Sequence, residues 1–186
     1  MESQTLNSYD RILNRCRKVF SEKMQDYGTA WRILRTPSLT DQIFIKAKRI
    51  RSITEKGTQL VEEGIVPEFV GMINYSIMAL IQFELGSDMN MVLEKEEVLN
   101  HYDKYVACTR ELLSKKNHDY GEAWRDMRLG SFVDIILMKL LRVKQIEDNK
   151  GQTLASEGID ANYFDIINYS VFALIILEES GTIVSE

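Results

Sequence analysis

A stretch of ten residues recurs ninety-three positions further along the chain. Asp26-Tyr27-Gly28-Thr29-Ala30-Trp31-Arg32-Ile33-Leu34-Arg35 aligns with Asp119-Tyr120-Gly121-Glu122-Ala123-Trp124-Arg125-Asp126-Met127-Arg128, identical at seven of ten places. At the same offset Ser38, Asp41, Ile43, Lys46, Arg49 and Ile53 match Ser131, Asp134, Ile136, Lys139, Arg142 and Ile146. One inserted residue later, Gly57, Leu60, Glu63, Gly64 and Ile65 match Gly151, Leu154, Glu157, Gly158 and Ile159, and Ile73-Asn74-Tyr75-Ser76 answers Ile167-Asn168-Tyr169-Ser170. The chain is a tandem duplication, with residues 1–93 and 94–186 as its two units, and repetition of this kind reports shared geometry before it reports function.

Each unit reads as three helices. In the first, Ile12, Cys16, Val19 and Phe20 recur at helical spacing over about Ser8 to Gln25, with a counterpart over about Lys95 to His118. Gly28 and Gly121 close these helices, and the Ala-Trp-Arg that follows each glycine reads as a short helical turn. Ser38-Leu39-Thr40-Asp41 and Ser131-Phe132-Val133-Asp134 have the form of capping boxes, so a second helix is expected to start there and to stop at Gly57 or Gly151. The third, from about Pro67 to Leu85 and from about Asn162 to Glu179, is apolar nearly all round and belongs at the centre of the fold. Its apolar surface exceeds what two neighbours can cover. The expected fold is therefore all-α, with two pseudo-twofold related three-helix units packed as one helical bundle and joined by the polar stretch Gly86 to Glu97.

Composition narrows the function classes. Residues 1–93 carry 12 Lys and Arg against 11 Asp and Glu, and residues 94–186 carry 11 against 17, so the units differ at net +1 and −6. The overall charge of −5 argues against general nucleic-acid binding, which needs clustered basic residues, and leaves small anions as ligands. Cys16 and Cys108 lack a Cys-x-x-Cys neighbour, and His101 and His118 lack the paired spacing of a zinc site. The first ten residues are polar, so no export signal is expected, and the longest apolar stretch, Ile166 to Leu177, is too short to span a membrane. A cytoplasmic protein is expected, with a homo-oligomer open.

The candidate chemistry gathers in the second unit. Glu157, Asp160 and Asp165 lie at the entry to its third helix, where three carboxylates could hold magnesium. Alternatively, Asp160 is an N-cap and its neighbours complement the helix dipole. The first unit offers Glu63 and Glu68 but places Val66 and Gly71 where the second has Asp160 and Asp165, so its acidic site reads as degenerate. Asn168 and Tyr169 share a helix face with Asp165, and either meet a ligand or pack against another helix. Lys139 and Arg142, like Lys46 and Arg49, sit three apart, placed for a triphosphate or for a salt-bridged edge. Trp124 either stacks on a base or fills the core.

The pattern Lys-x-x-Asp-Tyr-Gly-x-Ala-Trp, Lys-x-x-Arg, Glu-x-x-Asp and Asp-x-x-Asn-Tyr resembles the nucleotide-modification-associated domain family of type one, twice over. In the second unit it is carried by Lys116, Asp119, Tyr120, Gly121, Ala123, Trp124, Lys139, Arg142, Glu157, Asp160, Asp165, Asn168 and Tyr169. The helix plan is also similar to the MazG-like all-α nucleotide pyrophosphohydrolases, although their early Glu-x-x-Glu pair has no clear equivalent between Asp103 and Asp119. These resemblances imply a nucleotide or nucleoside phosphate as ligand. They further imply magnesium held by Glu157, Asp160 and Asp165, phosphate held by Lys139, Arg142 and Lys116, and contacts from Trp124, Asn168 and Tyr169. Hydrolysis of a nucleoside triphosphate to monophosphate and pyrophosphate is one expectation; a non-catalytic helical module binding a nucleotide or a protein is the other. The first requires Glu157, Asp160, Asp165, Lys139 and Arg142 to face one cavity.

Overall fold

The computed structural model describes residues 2–57, 64–87, 93–152 and 157–181, so Leu60, Glu63 and Leu154 of the repeat lie outside the described residues. Six α-helices account for most of them: α1 Glu2–Tyr27, α2 Thr36–Lys56, α3 Val66–Leu85, α4 Lys95–Tyr120, α5 Leu129–Asp148 and α6 Ile159–Glu179. A single 3-10 turn, Ala30–Ile33 or Ala123–Asp126, follows α1 and α4. The order of elements is therefore the same in both copies.

Local chemistry accounts for the boundaries. Tyr9, Ile12, Leu13, Cys16, Phe20 and Met24 line the buried stripe of α1 at three- and four-residue spacing. Gly57 ends α2 at φ +64, a conformation that costs a residue without a Cβ little, and donates its N–H to the Ile53 carbonyl at 2.9 Å. The expected caps at Ser38 and Ser131 are not used. α2 and α5 begin earlier, at Thr36 and Leu129, behind extended Arg35 and Arg128, with no side-chain cap. The Ser38 and Ser131 amides already donate to the Arg35 and Arg128 carbonyls, both at 2.9 Å, which leaves the serines inside the first turn. Pro37 tolerates that turn because its missing N–H would have had no helical partner.

The two most apolar helices make the centre. α3 packs against α6, α2 flanks α3, α5 flanks α6, and α2 closes on α5. By length and a mean hydropathy of 1.2, α3 and α6 could each cross a membrane, yet 67% and 72% of those stretches is buried within the bundle. They are core helices covered by their neighbours. α1 packs more extensively on α6 of the other copy than on α3 of its own, and α4 does the same with α3 and α6. One contiguous apolar core results.

The exchange between copies is written in reciprocal polar contacts. Tyr9 on α1 donates its hydroxyl to Asn168 Oδ1 on α6 at 2.6 Å, and Tyr102 on α4 donates to Asn74 Oδ1 on α3 at 2.8 Å. Both phenols are fully buried, which pushes their pKa values up and keeps them as donors. Nearer the surface, Arg17 pairs with Asp103 at 2.6 Å and Arg110 with Asp10 at 2.7 Å. Lys144 meets Asp41, and Arg51 meets Asp134 at 3.5 Å. Each contact has its image at the repeat offset, as a twofold relation between the copies requires. The exposed ion pairs add little energy, so the buried tyrosines carry this register.

Removing either hydroxyl leaves a buried amide oxygen without its donor. Tyr9→Phe and Tyr102→Phe are each expected to lower stability by about 1–3 kcal/mol, measured by urea unfolding. Because the core is shared, each variant should still unfold in one transition; separate transitions for the two copies would contradict the shared core.

Candidate functional site

In the second copy, three of the expected site residues meet. Lys116 from the end of α4 and Lys139 from α5 approach the two oxygens of Asp165 on α6, each at 2.6 Å. The Asp165 side chain is 9% exposed and that of Lys139 15%, so the carboxylate sits between two ammonium groups largely away from water. This is a closed ion triad. Burial makes its pairing matter more than an exposed bridge would, because a lone charge here would be poorly solvated.

The other expected partners do not join it. Glu157 and Asp160 are exposed at the start of α6. Arg142 is partly buried on α5 and forms no ion pair with a described residue. Among the described residues no three His, Cys, Asp or Glu side chains gather as a metal cage. Asp165 has both oxygens engaged by lysines, so the residues present do not fit magnesium, which needs carboxylate oxygens free to face it.

The expected ligand contacts are likewise taken up by the core. Trp124 is 7% exposed, stacked on Phe172 at 4.3 Å with an interplanar angle of 5°, and the Arg125 guanidinium lies 4.5 Å from the same ring. Tyr169 meets Phe172 edge-on at 6.1 Å. Asn168 accepts the Tyr9 hydroxyl, so its polar face serves the seam between copies.

The first copy holds the same scaffold with a different filling. At the repeat offset Gly71 stands for Asp165, Met78 for Phe172, and Glu68 for Asn162. Lys46, the counterpart of Lys139, lies across Gly71: a Cβ there would be 2.7 Å from its Cε. Glu68, one turn earlier on α3, takes Lys46 at 3.0 Å and Arg49 at 2.5 Å. A cavity of about 580 Å³ opens beside these residues, within the range of pockets that hold small organic ligands.

Its lining is mixed in character. Arg15 and Lys23 from α1 are among the lining residues; both are exposed, and neither forms an ion pair with a described residue. Phe20, Trp31, Tyr75 and Met78 supply apolar lining. Trp31 is only partly buried and tilts on Phe20 at 6.3 Å. Its indole N–H is buried and has no hydrogen-bond partner among the described residues. The 3-10 turn carrying it is clamped to α3 by Gln82, which donates to the Arg32 carbonyl at 2.8 Å and to the Leu34 carbonyl at 2.5 Å. Asn74 reaches the cavity from α3 while its side chain is tied to Tyr102 and to the Cys16 carbonyl. Sequence reasoning missed this site because it followed carboxylates. The available signal was the reverse: Gly71 and Met78 where the second copy has the larger Asp165 and Phe172.

The family model described as nucleotide modification associated domain 1 matches residues 23–83 and, a second time, residues 116–177. Both segments run from the lysine that opens the repeated motif through the Asn-Tyr pair of the third helix. No curated protein and no solved structure matches the chain.

The ion triad and the exposed acids make opposite demands on stability. Asp165→Asn strands the largely buried Lys139 ammonium and is expected to cost about 3 kcal/mol in chemical unfolding. Glu157→Gln and Asp160→Asn should each stay within about 0.5 kcal/mol. A larger loss at Glu157 or Asp160 than at Asp165 would contradict this geometry.

Proposed function

This chain belongs to the nucleotide modification associated domain 1 family, and we propose that its first copy binds a nucleoside phosphate in the cavity beside Trp31. The observation that carries the reading is the presence of unpaired cations and aromatic rings in the lining of one cavity. Arg15 and Lys23 bring positive charge that no described carboxylate neutralises, and Trp31 and Tyr75 bring aromatic surface. A nucleoside phosphate has the complementary halves: a base that stacks on an aromatic ring and an anion that accepts from ammonium and guanidinium donors. An acidic chain with only a local basic rim suits a small anion better than a nucleic-acid backbone.

The reading is one of binding rather than hydrolysis. Metal-assisted attack on phosphorus needs oxygen ligands for the ion and a base for the water. Glu68, the carboxylate in the cavity wall, is already held by Lys46 and Arg49.

Nucleoside phosphates at a hundred times their dissociation constant should stabilise the chain by about 2.7 kcal/mol. For a chain of this size that corresponds to roughly 5–11 °C in a thermal-shift assay, with or without magnesium. Lys23→Gln should lose the shift and Lys116→Gln should keep it. The absence of any response, or loss at Lys116→Gln with retention at Lys23→Gln, would overturn the proposal.

A further inference from the structure

We infer that the part of the cavity beside Gly71, lined by Lys23 and the end of Lys46, is the anion subsite of the first copy, and that Asp165 fills the matching place in the second copy with the protein's own carboxylate. The inference rests on the nucleoside-phosphate reading and names where the phosphate goes.

The two copies carry the same charged groups around this place but distribute them differently. The second has Lys116, Lys139 and Arg142 against Asp165; the first has Lys23, Lys46 and Arg49 against Glu68. In the second, the acid sits where it serves both lysines, at 2.6 Å each. In the first, the acid stands three residues earlier on its helix, about 4.5 Å along the axis. From there Glu68 serves Lys46 and Arg49, and the lysine left without a carboxylate is Lys23. The unneutralised charge has moved to the residue that lines the cavity beside Trp31.

Three further differences point the same way. Glycine at 71 removes the side chain that would supply a carboxylate, and the flexible end of Lys46 lies over the vacated spot, with Nζ 3.1 Å from where a Cβ would be. Arg15 adds a cation to the cavity where the second copy has Cys108. Met78 replaces the Phe172 ring that covers Trp124. The first copy is thus arranged to receive from a ligand the anion that the second copy supplies internally.

Gly71→Asp tests this by giving the first copy its own carboxylate. The far end of Lys46 can swing aside to make room, and the new acid should pair with Lys23 and Lys46. The unliganded variant is then expected to melt roughly 2–4 °C higher than the parent. By titration calorimetry with nucleoside mono-, di- and triphosphates, its affinity should fall at least about tenfold, a change of 1.4 kcal/mol. Gly71→Ala, which adds a Cβ without a charge, should retain affinity within about threefold. Lys23→Glu, on the exposed side of α1, should lose affinity as Gly71→Asp does and serves where that variant does not fold. Parental affinity in Gly71→Asp would overturn the subsite and leave the nucleoside-phosphate reading standing, whereas parental affinity in Lys23→Glu would overturn both. Weaker binding in Gly71→Asp with no rise in unliganded melting, or an equal loss in Gly71→Ala, would mark crowding alone and overturn it as well. A parent chain that binds none of the nucleotides would overturn the underlying reading itself.

Discussion

The two buried tyrosine-to-asparagine hydrogen bonds, Tyr9 to Asn168 and Tyr102 to Asn74, hold the architecture in register. A buried amide oxygen without a donor is costly, and at the apolar centre each of these two oxygens receives a tyrosine hydroxyl. The partner comes from the first helix of the other copy. That single requirement places α1 on α6 and α4 on α3, and makes the halves interdependent. It also shapes the cavity, because Asn74 contributes to the cavity wall while Tyr102 of the second copy fixes its side chain.

On this common frame the two copies have diverged by a few substitutions in one place. The second copy completes itself: Asp165 neutralises Lys116 and Lys139, and Phe172 covers Trp124. In the first copy Glu68 pairs with Lys46 and Arg49, Lys23 has no ion pair with a described residue, and Gly71 and Met78 stand at the matching positions with a cavity beside them. Duplication permits this division of labour. One copy can hold the scaffold by satisfying its own charges while the other keeps polar and aromatic groups available to a ligand.

Much of the fold could be read from the sequence alone. The helical spacing of α1, the all-round apolar character of α3 and α6 and the repeat itself lead to an all-α bundle, as found. The caps at Ser38 and Ser131 were misplaced because a serine pattern does not show which amides the preceding backbone already satisfies. Tyr9 and Tyr102 drew no attention, since a tyrosine on an amphipathic helix announces neither its burial nor its partner across the seam. The candidate site was sought among the second copy's carboxylates for a related reason. Asp165 looks like a metal ligand until Lys116, forty-nine residues earlier, is seen to land on it. A cavity is a vacancy, and it appears in sequence only as small residues set against larger ones at matched positions.

The central claim is that a nucleoside phosphate engages the first copy through Trp31 and leaves the second copy undisturbed. The chain has two tryptophans, so its indole N–H groups give two cross-peaks in a proton–nitrogen correlation spectrum, assignable with Trp31→Phe and Trp124→Phe. Titration with a nucleoside phosphate should shift the Trp31 peak and leave that of Trp124 in place. A shift confined to Trp124 would contradict the account.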